Sequence, residues 1–251
     1  MLYKNFILCF FVVCFMSCKE EMYLEKIEGK RIEINDSLVG VSKIEDFIKP
    51  YREHVNNTLD SVLAYSAGTY SKTDGDLNTA IGNLMADAVL EEANPVFESR
   101  TGKKINMVLL NHGGIRAILS KGNVTTRTAY EIMPFENSVV VASLKGTHIN
   151  EMIAYLQKAK RAHPISGLSI KLNNNYELIE AKINDNAIDE NKTYYVATND
   201  YLYSGGDSMD FFQQSDSLYV LDYKIRNVLI DYFSKKDTIN PVIDNRFIKT
   251  N

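Results

Sequence analysis

Apolar residues recur along this chain with two spacings. Over 79–93 they return every three or four positions: Ile81, Leu84, Met85, Ala88 and Val89 share one face, and Thr79 can cap the start. This predicts the clearest helix. Residues 147–159 predict a second, and 221–233, rich in Leu, Ile, Val and Tyr, a third. Residues 44–57 alternate apolar and charged positions at helical spacing, with Pro50 interrupting them. Short runs predict strands at 62–66, 138–144, 168–172 and 194–198. Residues 105–110 are apolar at nearly every position, which predicts a buried strand. Residues 18–42 are polar and weakly patterned, consistent with a tether and one short strand at 31–34. Strands and helices interleave, so the class is mixed α and β. With no repeat, low-complexity stretch or internal linker, one domain is expected over 41–251.

The N-terminus follows a different rule. Lys4 precedes a nearly continuous apolar run from Phe6 to Phe15, closed by Ser17-Cys18. The run, about 11 residues, is too short for a helix across a hydrocarbon core of about 30 Å. It reads as a lipoprotein signal peptide over 1–17 with the lipobox-like end Phe15-Met16-Ser17-Cys18, Phe15 standing where Leu is usual. Cys18 is then the expected lipidation site, 18–40 the tether, and the bacterial cell envelope the location, on the periplasmic side or the outer-membrane surface. The other two cysteines, Cys9 and Cys14, leave with the leader. The mature chain would hold no free thiol and no disulfide, which removes redox, thiol-nucleophile and cysteine–metal chemistry. Losing Lys4 takes the formal charge from −4 to −5. An acidic balance argues against nucleic acid as the main partner, because polyanion binding rests on many Lys and Arg contacts.

Three blocks could carry chemistry. In Asn111-His112-Gly113-Gly114-Ile115-Arg116 a buried strand runs into two glycines, which allow positive φ and close ligand approach, flanked by an amide and a guanidinium fork. The bland alternative is a strand-end turn with a surface arginine. In Pro134-Phe135-Glu136-Asn137 a ring sits between a proline and a strand, rigid enough to stack on a base; a core phenylalanine is the alternative. In the block from Tyr195 to Asp207 a strand leads to Tyr201 and then Gly205-Gly206-Asp207. Asp207 could accept from vicinal ribose hydroxyls or cap the next helix. Asn111-His112 and Gly206-Asp207-Ser208-Met209-Asp210 look like metallophosphoesterase elements, but their order is reversed and no Asp-x-His exists. The remaining histidines, His54, His148 and His163, have no ligand spacing. No P-loop and no serine or cysteine nucleophile arrangement appears.

Taken in order, Gly82-Asn83-Leu84-Met85-Ala86-Asp87-Ala88, Asn111 to Arg116, Pro134 to Asn137, Ala197-Thr198-Asn199 and Gly205-Gly206-Asp207 resemble the C-terminal, nucleotide-binding domain of the 5′-nucleotidase family. The resemblance implies an α+β fold, a mixed sheet with packed helices. It implies that Asn111 and Arg116 contact the nucleotide, that Phe135 and Tyr201 sandwich the base, that Asn137 helps recognise it with Gly167 alongside, and that Asp207 holds the ribose. The family's metallophosphoesterase half, with its metals and catalytic Asp-His pair, has no counterpart in these motifs. No catalytic residue, metal ligand or cofactor is therefore expected in this chain, and divalent metals only in a partner metallophosphatase. The expected function is the nucleotide-binding half of a 5′-nucleotidase-type hydrolase in nucleotide catabolism, or alternatively a non-catalytic nucleoside- or nucleotide-binding lipoprotein. A substrate-binding arginine usual before Gly-Asn-Leu is missing from Asp74-Gly75-Asp76-Leu77-Asn78, and Tyr201 stands where phenylalanine is usual.

Overall fold

In the computed structural model, residues 24–250 apart from 36 are described. The expected signal peptide over 1–17 and the expected lipidation site Cys18 lie outside them. Among the described residues no helix is long and apolar enough to cross a membrane. The chain divides into two units at Pro50, each taken by itself. In the first, 31–34 form no strand. Ile32 and Ile34 are 76% and 90% exposed; alternation alone does not make a strand where no neighbouring strand satisfies the backbone. Helix α1, Ser42–Leu59, contains Pro50 and buries none of its residues.

The second unit is built on period-two alternation. Strands β1 (Val62–Ser66), β2 (Met107–Leu109), β3 (Gly122–Thr125), β4 (Ser138–Lys145), β5 (Ile165–Ser166), β6 (Leu168–Leu172), β7 (Leu178–Ile183), β8 (Asn186–Ala187), β9 (Thr193–Asn199), β10 (Ser217–Lys224), β11 (Thr238–Ile239) and β12 (Phe247–Lys249) form three sheets. The central one runs β10-β4-β9-β2-β5, with β2 and β9 parallel and the other pairs antiparallel. Its neighbours are β11-β1-β3 and β12-β6-β7-β8.

Successive side chains of a strand face opposite ways, so the central sheet has two apolar faces. Val108, Val139, Val141 and Ala197 belong to one core with α2 (Ala80–Thr101) and the later helix Ile225–Ser234, which supply Met85, Val89, Phe97, Val228 and Phe233. Met107, Leu109, Ala142, Leu144 and Val196 belong to the other, with Ile149, Met152 and Leu156 of Gly146–Ala159. Thr79 caps α2 through its hydroxyl, which accepts from the Gly82 N–H. The helix runs past Pro95 and ends at left-handed Gly102.

Two shorter helices lie between these elements in the chain: α3, Thr126–Ile132, and α5, Asp200–Tyr203; Gly146–Ala159 is then α4 and Ile225–Ser234 is α6. The expected helix over 221–233 is half right. Its first turn is instead the end of β10, which pairs with β4 and bulges where Asp222 takes φ 52°. Only from Ile225 does the chain turn helical.

This topology gathers the site. Parallel β2 and β9 end at the same edge, and antiparallel β4 begins there, Val139 facing Asn199. The segments after β2, before β4 and after β9 therefore converge, as ligand-binding loops do at the carboxyl ends of parallel strands.

Candidate nucleotide-binding site

The three convergent loops enclose a cavity of about 330 Å³ lined by Asn111, Gly113, Gly114, Arg116, Phe135, Asn137, Tyr201 and Asp207. Six of the seven predicted contact residues meet here. The seventh, Gly167, lines a different cavity, near Arg246 and Asn184. Its glycine answers a local need: φ is +72°, and a Cβ would lie 2.4 Å from the Asn106 carbonyl oxygen.

Asp207 is the hub. One carboxylate oxygen accepts from Asn111 Nδ2 at 2.8 Å and the other from the Tyr201 hydroxyl at 3.0 Å. A carboxylate offers about four lone-pair sites, so each oxygen keeps acceptor capacity for a ligand. Asp207 itself is left-handed, φ 54°, inside the turn Gly206–Ser208, and it caps no helix. Gly205 enters that turn at φ +90°. At Gly206 a Cβ would fall 2.5 Å from the Tyr201 ring, so the glycine lets that ring lie against the backbone.

The first Gly-Gly turn works otherwise. His112–Gly114 form a 3-10 turn, and neither Gly113 nor Gly114 has positive φ, contrary to expectation. Their small size admits Asn111: a Cβ on Gly114 would be 3.0 Å from Asn111 Oδ1 and one on Gly113 3.3 Å from Nδ2. The turn rests on His163, whose Nδ1 accepts the His112 N–H at 3.3 Å. Burial drives the His163 pKa down to about 4. Burial also lowers the His112 pKa, helped by the nearby cations Lys72 and Arg161.

Phe135 and Tyr201 are 40% and 47% exposed, so both rings remain open to a ligand. The Phe135 loop is pinned from α6: Glu136 pairs with Lys224 and buried Arg226, and the Asn137 carbonyl accepts the Ile225 N–H. The Arg116 guanidinium stands 5.7 Å from the centre of the Phe135 ring. Asn199 holds Tyr201 by capping α5, its side chain accepting from the Leu202 N–H.

The first motif block supports the fold rather than the cavity. Asn83 donates to Asn78 and to the Val242 carbonyl, and Asp87 pairs with Arg246 at 2.8 Å. Among the described residues no group of three or more His, Cys, Asp or Glu side chains could hold a metal ion. The donor set of a two-metal phosphoesterase is thus not met by these residues.

A family model described as 5′-nucleotidase, C-terminal domain, matches residues 57–214. The chain belongs to that family. A trifunctional nucleotide phosphoesterase of Bacillus subtilis is 30% identical over 185 residues, 67% of this chain and 12% of that protein. An apyrase of Tabanus yao is 25% identical over 239 residues, 85% of this chain and 42% of its own length. Among solved structures, a 5′-nucleotidase precursor from Thermus thermophilus superposes with a TM-score of 0.67 at 22% identity, over 84% of this chain and 43% of that one. An NAD nucleotidase from Haemophilus influenzae gives 0.64 at 16% identity, over 84% and 42%. The likeness to these structures establishes the 5′-nucleotidase C-terminal fold; the chain spans less than half of each of these four proteins.

Proposed function

We propose that the cavity between Phe135 and Tyr201 binds the base and ribose of a nucleoside or nucleotide. In this reading the domain is the substrate-holding half of a 5′-nucleotidase-type phosphohydrolase, and a separate metallophosphatase completes it. The carrying observation is the convergence of two open rings, one arginine and one carboxylate on a single cavity. The rings clasp the base, Asp207 accepts from ribose hydroxyls, and Arg116 and Asn111 face ribose or phosphate oxygens. The separate protein's divalent metals supply an activated water, and this domain contributes position. The relatives' names, phosphoesterase, apyrase and nucleotidase, support a nucleotide ligand. A lipid anchor on Cys18 in the bacterial envelope belongs to the same proposal, and Cys18→Ala should abolish lipid labelling.

Calorimetric titration with adenosine, AMP and 2′,3′-dideoxyadenosine tests the site. Base–aromatic stacking is typically worth about 1–3 kcal/mol, so Phe135→Ala should weaken binding roughly 5- to 150-fold. Asp207→Asn should hurt adenosine more than the dideoxynucleoside. Binding indifferent to Phe135, Tyr201 and Asp207 would discard the site. The arginine-free segment Asp74-Gly75-Asp76-Leu77-Asn78 favours a second reading, capture without hydrolysis. Nucleotide turnover on adding a metallophosphatase that is inactive toward that nucleotide alone would exclude it.

A further inference from the structure

A second cavity, of about 650 Å³, adjoins the first and shares Gly113 and Asp207 with it. Its character differs. Where the first presents two rings and a carboxylate, the second presents Lys158 and Arg161 beside His112 and His163. Both cations are exposed, and neither makes an ion pair among the described residues. The one carboxylate in the shared wall, Asp207, acts electrostatically on Tyr155 and His163 but hydrogen-bonds on the other side. Both Asp207 oxygens are engaged with Asn111 and Tyr201, on the ring-bearing side, and it is the Asp207 backbone carbonyl that accepts the Tyr155 hydroxyl at 2.9 Å.

We propose that this second cavity is a subsite for the phosphate arm of the nucleotide, with Lys158 and Arg161 as its cations and His112 as a further donor. The assignment rests on the reading of the first cavity as the base and ribose site. A ligand with its base between Phe135 and Tyr201 and its sugar at Asp207 would pass over Gly113, which has no side chain to block it. Beyond lies the cationic wall. Two like charges without ion-pair partners, against the single carboxylate of Asp207, leave a net positive field, which favours a multiply charged anion. Arg161 offers a fork suited to phosphate oxygens and Lys158 a mobile point charge. The His112 ring nitrogen Nδ1 lies 3.2 Å from the Ala162 carbonyl, which leaves Nε2 for a ligand. Burial, with Lys72 and Arg161 adding to it, holds the His112 imidazole toward its neutral form; a bound anion opposes the cations' field and favours the imidazolium, whose Nε2 then donates.

The test compares adenosine with ADP on the full chain. Wild type is expected to bind ADP about tenfold more tightly, a typical size for charge-assisted contacts at an exposed site. In Lys158→Ala/Arg161→Ala the ratio of the two affinities should fall most of the way to one, Arg116 keeping any remainder, and Lys158→Arg should keep most of the wild-type ratio. Both changed side chains are exposed, so the fold should tolerate them. In parallel, the His112 ring resonance should titrate at higher pH once ADP is bound. If adenosine binds but the ratio survives in the double variant, the subsite is overturned and the base site stands. If neither adenosine nor ADP binds, the base site fails. Inorganic pyrophosphate then decides: a shifted His112 titration lost in the double variant upholds an anion subsite, and an unmoved one overturns it.

Discussion

Two Gly-Gly turns leave adjacent parallel strands at the same sheet edge, and they use glycine for opposite reasons. After β2, Gly113 and Gly114 have ordinary backbone angles, and their missing Cβ atoms make room for the buried Asn111 side chain. After β9, Gly205 takes φ +90°, Gly206 admits the Tyr201 ring, and Asp207 and Ser208 follow at φ 54° and 59°. One turn is a spacer held from below by His163, and the other is a bent backbone held together by its own side chains. The same dipeptide thus marks a steric requirement in one place and a conformational one in the other. Both requirements serve one bond network, because Asn111 from the first turn and Tyr201 from the second meet on Asp207.

The support under the first turn titrates, which gives the largest effect. His163 has its pKa lowered from 6.5 to about 4 in the fold. Between those values the unfolded chain carries a proton that the folded chain refuses. Stability is therefore full above about pH 6.5 and is lost as pH falls toward 4, by up to roughly 3 kcal/mol. Protonation would also remove the acceptor of the His112 N–H, so the loss should begin at this turn. Denaturant unfolding of wild type and His163→Asn across this range is the measurement. An unchanged pH slope in the variant would mean that His163 does not underpin the turn.

That support was not legible in the sequence, where His163 is an isolated histidine without ligand spacing. Its role comes from 51 residues of chain separation closed by folding. The rings, Arg116 and Asp207 were legible because each sits in a short block at a strand end, and strand ends of a mixed sheet converge. The direction of φ was not: Gly113-Gly114 and Gly205-Gly206 read alike, and only their neighbours separate them. Gly167 was expected beside the base through family likeness, and the structure instead shows a backbone crossing over Asn106. Residues 221–224 carried a helical composition, but pairing with β4 outweighed local preference. The strand expected at 31–34 failed for the reverse reason, having no pairing partner among the described residues.

The second turn should resist substitution next most strongly. Gly205→Ala places a side chain at φ +90°, which for left-handed backbone costs about 1–2 kcal/mol. Gly206→Ala has ordinary φ but drives a methyl to 2.5 Å from the Tyr201 ring and 2.6 Å from the Tyr201 carbonyl oxygen. Forced overpacking typically costs about 1–3 kcal/mol; the half-exposed ring can swing away, but the carbonyl is backbone and must shift with the turn. The two variants therefore separate by readout. Gly205→Ala should lower the unfolding midpoint, while Gly206→Ala should weaken adenosine binding out of proportion to its stability loss. Equal behaviour in both assays would collapse the distinction between conformational and steric glycine within this turn.

The smallest change sharpens the comparison most. At Gly113 an added methyl would sit 3.3 Å from Asn111 Nδ2, tight enough that the amide must give by a few tenths of an ångström, and 3.9 Å from Asp207 Oδ2, an ordinary contact, while the backbone angle suits any residue. Gly113→Ala should therefore cost less than Gly205→Ala, about 0.5–1 kcal/mol, because the crowded neighbour is a side chain that can shift slightly. The methyl would nonetheless stand in the wall that both cavities share. Adenosine, confined to the ring-bearing side, should lose little affinity, while ADP, which must cross Gly113, should lose more. Calorimetry of both ligands beside a thermal unfolding curve reads all three quantities. A stability loss as large as that of Gly205→Ala would show that Asn111 cannot give way, so that the steric demand of the first turn weighs as much as the conformational demand of the second.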